Sequence, residues 1–166
     1  RVMGSFALRM PQNSSNELCK GLKKLADKYS VTLQSHTSYA LATIQAIKAK
    51  WGMREVERYD YLGLLDLNFV SVHNCWLNFA EALRYKEKNV KVVHCPGATL
   101  HGTYGGMAHG LFPEMIGLGI PVSIGSDSGS AGNFVDVLQG MYLVAGCFKD
   151  NRCDDTIMSA ETVMEM

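Results

Sequence analysis

N-F-V-S-V-H-N-C-W-L-N-F-A-E-A-L-R-Y-K-E-K-N-V-K-V-V-H-C-P, residues 68–96, decides the fold class. Residues 68–74, rich in Phe and Val, read as a strand, and residues 78–88 read as a short helix. Residues 90–95 are a second strand, which Pro96 and Gly97 end. A strand, a helix and a strand within about 30 residues form one βαβ unit.

The same alternation extends in both directions. Upstream, residues 2–8 and 31–36 read as strands, and a helix lies between them with Leu18, Leu22 and Leu25 at helical spacing. Ser14 and Glu17 fit a capping box at the start of that helix. A second helix spans residues 37–50, with Leu41, Ile44 and Ile47 on its apolar side, and a short helix is expected at 56–62. Downstream come a glycine-rich loop (residues 97–106), a helix stopped at Gly119, a fifth strand (120–126) and a long helix (134–146). Ser159 is placed to cap a last helix. Five strands alternating with helices imply a parallel α/β sheet with right-handed crossovers. Two architectures fit. One is an open doubly wound sheet. The other is part of a (β/α)₈ TIM barrel, which normally needs about 250 residues.

Composition narrows the class. The chain has 166 residues, 47% hydrophobic and 19% charged, as an ordered globular protein should. Its 16 basic and 16 acidic side chains balance, leaving no field to recruit nucleic acid. No apolar run approaches the roughly 20 residues that cross a bilayer, so no membrane partner is expected. Five irregularly spaced cysteines, with no C-x-x-C, read as reduced thiols in a cytoplasmic protein. The absence of an initiator methionine and of a stop signal after the last helix reads as a piece of a longer protein. Residues 1–166 are expected to form a single catalytic-domain fragment.

Both architectures collect chemistry at the carboxyl ends of the strands. The expected strands end at His36, at His73, at His94 just before Cys95, and at Asp127. Imidazole and carboxylate are ligands that zinc and ferrous iron prefer, and a metal they hold acidifies its water. Within V-V-H-C-P, His94 reads as a hydrogen-bonded structural residue. His101 and His109 lie in or beside the glycine-rich loop and read either as solvated or as substrate contacts. Asp127 reads as a ligand and proton carrier or as a helix cap. No phosphate-binding G-x-x-x-x-G-K-[ST], no G-x-G-x-x-G after a strand and no G-x-S-x-G nucleophile elbow occurs.

In their order, V-T-L-Q-S-H at His36, L-N-F-V-S-V-H-N-C-W-L at His73, V-V-H-C-P-G-A-T-L-H-G at His94 and I-P-V-S-I-G-S-D-S-G-S-A-G-N at Asp127 carry a resemblance. Over nearly its whole length the chain resembles the metal-dependent amidohydrolase superfamily. Within it, the chain looks most like the aminohydrolase branch of cytosine deaminase, guanine deaminase and the s-triazine hydrolases. The resemblance implies strands four to eight of a (β/α)₈ barrel. It implies metal ligation by His36, His73 and Asp127, with His73 and Asp127 catalytic, and substrate contacts from Tyr39 and His101. The cofactor it implies is a divalent metal, zinc or iron. The reaction it implies is hydrolytic deamination or dehalogenation, chlorohydrolase-like, of a small heterocyclic substrate by metal-activated water.

Two departures follow from the same comparison. The family's upstream H-x-H ligands are absent from this chain, and Tyr39 stands where H-x-x-E carries a proton-shuttling glutamate. A phenol there is a hydrogen-bond partner rather than a base. The isolated fragment is therefore expected to bind metal weakly or not at all, to be inactive, and to form homo-oligomers through its raw barrel edges. A catalytically silent heterocycle-binding domain and an open doubly wound ligand-binding domain are the alternatives.

Overall fold

Five parallel strands occupy the centre: β1 (Phe6–Leu8), β2 (Leu33–Thr37), β3 (Phe69–His73), β4 (Lys91–His94) and β5 (Val122–Ile124). The structure, a computed structural model, describes residues 4–166. Val2, where the first strand is expected to begin, lies outside the described residues. The strands hydrogen-bond side by side in the order β1-β2-β3-β4-β5, the order in which they occur along the chain. A doubly wound sheet reverses its strand order at a switch point. Sequential order means that each crossover advances one strand in one direction, so these are successive staves of a (β/α)₈ barrel.

Side-chain burial gives the same answer independently. On β2, Leu33, Ser35 and Thr37 are buried, while Gln34 is exposed and His36 half-buried. On β3, Phe69 and Ser71 are buried, with Val70 and Val72 half-buried. The buried set faces the helices: Ser35 Oγ lies 2.6 Å from the Tyr59 hydroxyl and Ser71 Oγ 2.7 Å from the Tyr85 hydroxyl. A doubly wound sheet carries helices on both faces and buries both. Here one face is packed and the other, the lumenal side, is open.

The helices are α1 (Asn16–Tyr29), α2 (Leu41–Trp51), α3 (Glu55–Tyr61), α4 (Phe79–Lys88), α5 (Pro96–His101), α6 (Gly106–His109), α7 (Phe112–Gly117), α8 (Gly129–Gly132), α9 (Val137–Arg152) and α10 (Ala160–Glu165). Leu33, Tyr59, Phe69, Tyr85, Phe112 and Phe148 anchor one apolar cluster between sheet and helices. Each such side chain withdrawn from water is worth roughly 1.5–3 kcal/mol. All five cysteines are free thiols. Among the described residues no helix is long and apolar enough to cross a membrane.

Several local expectations shift. Ser15, not Ser14, caps α1, accepting the Leu18 N–H at 3.1 Å, while Ser14 Oγ donates to the Met10 carbonyl. The face of α1 that packs inward carries Cys19, Leu22 and Ala26, so Leu18 and Leu25 remain 49% and 40% exposed. They sit one position off that stripe, about 100° round the helix. Leu41 is exposed at the first turn of α2, which starts at Leu41 because Ser38 is left-handed (φ 47°). The glycine-rich stretch is two helical turns, α5 and α6, because Pro96 opens a helix and the Cys95 carbonyl accepts the Thr99 N–H at 3.0 Å. The long helix α9 begins at Val137, where the Asp136 carboxylate accepts the Leu138 N–H at 2.9 Å.

Candidate functional site

β2 and β3 pair in register, with His36 opposite Val72 and Thr37 opposite His73. Strict alternation would therefore put His73 on the helix side with Thr37. Instead His73 has a left-handed backbone, φ 76°, and Asn74 follows at φ 57°. That turn swings the imidazole to the rim, where it stacks on His36 with ring centroids 5.0 Å apart. Asn74 holds the turn from within: its amide donates to the Ser71 carbonyl at 2.9 Å and accepts the Ser71 hydroxyl at 2.6 Å. The Asn74 N–H donates to the Thr37 carbonyl and the Trp76 N–H to the Ser38 carbonyl, binding the two loops together.

Asp127 arrives from the loop after β5, also left-handed (φ 59°). Ser128 occupies the cap position of α8, so Asp127 is not a helix cap; its Oδ1 accepts the adjacent Ser128 N–H at 2.6 Å. Its Oδ2 lies 3.7 Å from His73 Nε2. Burial, with His36 alongside, holds the His73 imidazole down at about 4, so it is neutral and carries a lone pair at neutral pH. Its Nδ1 is buried without a partner.

Of the three metal-ligand candidates, the structure brings His73 and Asp127 together and sets His36 beside them. His36 Nδ1 is hydrogen-bonded to the Arg9 carbonyl, which makes Nδ1 the protonated nitrogen and leaves the Nε2 lone pair available. Tyr39 joins the cluster, 5.9 Å from His73 and 5.2 Å from Tyr104 in an edge-on contact. His101 does not: it is exposed, and its Nδ1 lies 3.2 Å from Asn133 Nδ2. His94 faces the helices, its ring 3.9 Å from Phe112, and burial holds it down at about 3. Its structural reading stands without the expected hydrogen bonds, since neither ring nitrogen has a partner. His109 stacks on Trp76 at 4.4 Å.

Sequence reasoning missed two members. Cys95, buried at the end of β4, presents a thiol that lies with the His73 and Asp127 ligand atoms inside a 4.8 Å group. Burial, then the Asp127 charge, pushes that thiol up to about 12. Alternation could have found it: if His94 faces the helices, its neighbour must face the lumen. The other is Tyr104, 6.0 Å from His73, whose carbonyl accepts the Trp76 indole N–H at 2.7 Å. Gly102 leaves it room, because a Cβ there would lie 2.5 Å from the Tyr104 ring. A cleft of about 410 Å³ opens beside the cluster, lined by Arg9, Gln34, His36, Val93, Cys95 and Asp127.

Parallel staves with polar side chains gathered at their carboxyl ends are the layout of (β/α)₈-barrel enzymes. Residues 1–166 match the amidohydrolase family, and the chain belongs to it. It is 28% identical over 163 residues to a 5-methylthioadenosine/S-adenosylhomocysteine deaminase of Pyrococcus furiosus, covering 97% of this chain and 38% of that protein. An adenosine deaminase from Xanthomonas campestris, solved with bound zinc, superposes with a TM-score of 0.87 at 26% identity, covering 96% and 36% of the two chains. Guanine deaminase from C. acetobutylicum, solved with guanine in its active site, gives 0.78 at 30% identity over 92% and 37%. The chain spans just over a third of each of these proteins.

Proposed function

We propose that this chain supplies the carboxyl-terminal part of the active site of a metal-dependent aminohydrolase, which removes the exocyclic amino group of a purine-type heterocycle as ammonia. The observation that carries the reading is the convergence of His36, His73 and Asp127 on one rim. The deaminases among its relatives support it. The donor set fits a divalent cation such as zinc. His36 has a free Nε2, His73 is neutral with an unpartnered nitrogen, and Asp127 offers an oxygen 3.7 Å from His73, a separation two ligands of one ion can take up. When bound, such an ion supplies Lewis acidity and an acidified water.

The chain's own residues do the rest. The Asp127 carboxylate takes up a proton from the attacking water and releases it to the departing nitrogen. Tyr39 and Tyr104 wall the space beside His73, and their edge-on pair leaves a face for a flat ring. Tyr39 gives a hydroxyl to a ring nitrogen in place of a carboxylate base, and His101, beside Asn133 at the end of α5, meets the substrate from the rim. Free thiols support a reducing, cytoplasmic setting. β1 and β5 stand at the two ends of the strand order, and although the Ile124 N–H donates to the Met166 carbonyl at 3.3 Å, these edges support self-pairing of the isolated chain.

The test is ammonia release from a panel of aminopurines and their nucleosides by the intact protein that carries this chain, with its metal content measured alongside. Asp127→Asn should abolish turnover while leaving the circular dichroism unchanged. Undiminished turnover in that variant overturns the assignment.

A further inference from the structure

We propose that Cys95, His73 and Asp127 form a three-ligand site for a thiophilic divalent cation that this chain assembles without His36 or any upstream residue. The inference rests on the reading above only in placing His73 and Asp127 at a metal centre. The three ligand atoms lie within 4.8 Å of one another, and the His73 and Asp127 atoms already stand 3.7 Å apart. Around a tetrahedral zinc, with bonds of about 2.0–2.3 Å, neighbouring ligand atoms sit roughly 3.5 Å apart. Closing the remaining gap takes about 1 Å, within reach of a turn about the Cys95 χ1.

Three further features point to a ligand. Cys95 is buried, yet it lines the cleft together with Asp127, so its sulfur borders free space rather than core. Gly125 flanks it: a Cβ there would come within 3.3 Å of Sγ and 2.8 Å of Val93, and the missing side chain keeps that space clear. His73 is only 4% exposed and turns its Nε2 toward the Asp127 carboxylate, so a buried ring nitrogen is aimed at the proposed site. A thiolate, an imidazole and a carboxylate select zinc, cadmium or cobalt over magnesium or calcium. Three protein ligands with a fourth position open is the arrangement of catalytic rather than structural zinc sites.

The metal-free chain is titrated with Co²⁺ and its absorption recorded. One equivalent should produce a near-ultraviolet sulfur-to-cobalt charge-transfer band. That band should be lost in Cys95→Ser, reduced in Asp127→Asn and His73→Gln, and retained when the more exposed Cys147 and Cys153 are both changed to serine. A wild-type chain without the band, or a band that survives Cys95→Ser, overturns the inference. If cobalt d–d bands survive Cys95→Ser but vanish in Asp127→Asn, Cys95 is refuted as a ligand and the proposed centre stands. Should Cys95→Ser not fold, X-ray absorption at the zinc edge of the wild-type chain decides: one sulfur neighbour supports the site, and none overturns it.

Discussion

Glu55→Gln should change how the stability of this protein depends on pH. Glu55 opens α3 but is fully buried beneath the loop that follows β2. Its Oε2 accepts both the N–H and the hydroxyl of Ser38, each at 2.7 Å, and its Oε1 has no partner. Burial is the main reason its carboxyl is pushed up to about 7; Glu81 adds to this, and the Ser38 bonds and Arg54 oppose it. In the unfolded chain the same group titrates near 4.5. Between those values the folded protein keeps a proton that the unfolded chain has released. The associated stability is complete below pH 4.5 and is lost as pH rises through 7. At about 1.4 kcal/mol per pH unit, the loss is on the order of 3 kcal/mol. Glutamine keeps an oxygen for Ser38 and cannot titrate. Relative to wild type, the variant should gain on the order of 2–3 kcal/mol between pH 5 and pH 8. His73 and His94 act in the opposite sense, losing stability as pH falls below 6.5, but both proteins carry them and they cancel in the difference. Urea unfolding of the two proteins from pH 4.5 to 8.5 at constant ionic strength measures that difference. A difference flat across the window would refute the argument.

Three more outcomes are expected. His94→Leu removes a buried neutral imidazole, so the variant should gain on wild type by about 1 kcal/mol per pH unit below 6.5, read from urea midpoints at pH 8 and pH 5. Arg54→Ala strips a guanidinium that holds Glu81 at 2.8 and 2.9 Å and the Trp76 carbonyl at 2.7 Å. Leaving the nearly buried Glu81 unpaired should cost about 3 kcal/mol, and Arg54→Met with Glu81→Leu distinctly less, by thermal melts. Tyr85→Phe deletes the hydroxyl that meets Ser71 at 2.7 Å, costing about 1 kcal/mol; because Ser71 also holds Asn74, the His73 imidazole resonances should move with it.

Element type was legible along the chain because apolar spacing is a local property. The βαβ reading of residues 68–96 is realised as β3, α4 and β4, with ends shifted by at most one residue. Spacing alone misjudged α1, where Leu18 and Leu25 look equivalent to Leu22 until the helix's contact stripe against the sheet is known. The site was half legible. His36, His73 and Asp127 stand out as polar residues ending apolar runs, and the structure gathers them because strand ends feed the rim. Cys95 and Tyr104 had no such contrast: a cysteine passes for a small core residue, and a tyrosine in a glycine-rich stretch passes for a loop. Glu55 looks in sequence like an ordinary first-turn helix acid, and only its burial under Ser38 sets it apart.

By itself, the order of residues determined that strands and helices alternate, which residue types end the strands, and to which family those motifs belong. Hydrophobic periodicity and side-chain chemistry are written residue by residue, so they survive without coordinates. Tertiary structure decided the rest: sequential strand order, the packed and open faces of the sheet, and the meeting of His73 with Asp127 and Cys95. Strand neighbours depend on hydrogen bonds between segments roughly 30 residues apart. The direction of His73 depends on one left-handed φ that the Asn74 network holds against the alternation its sequence position would dictate.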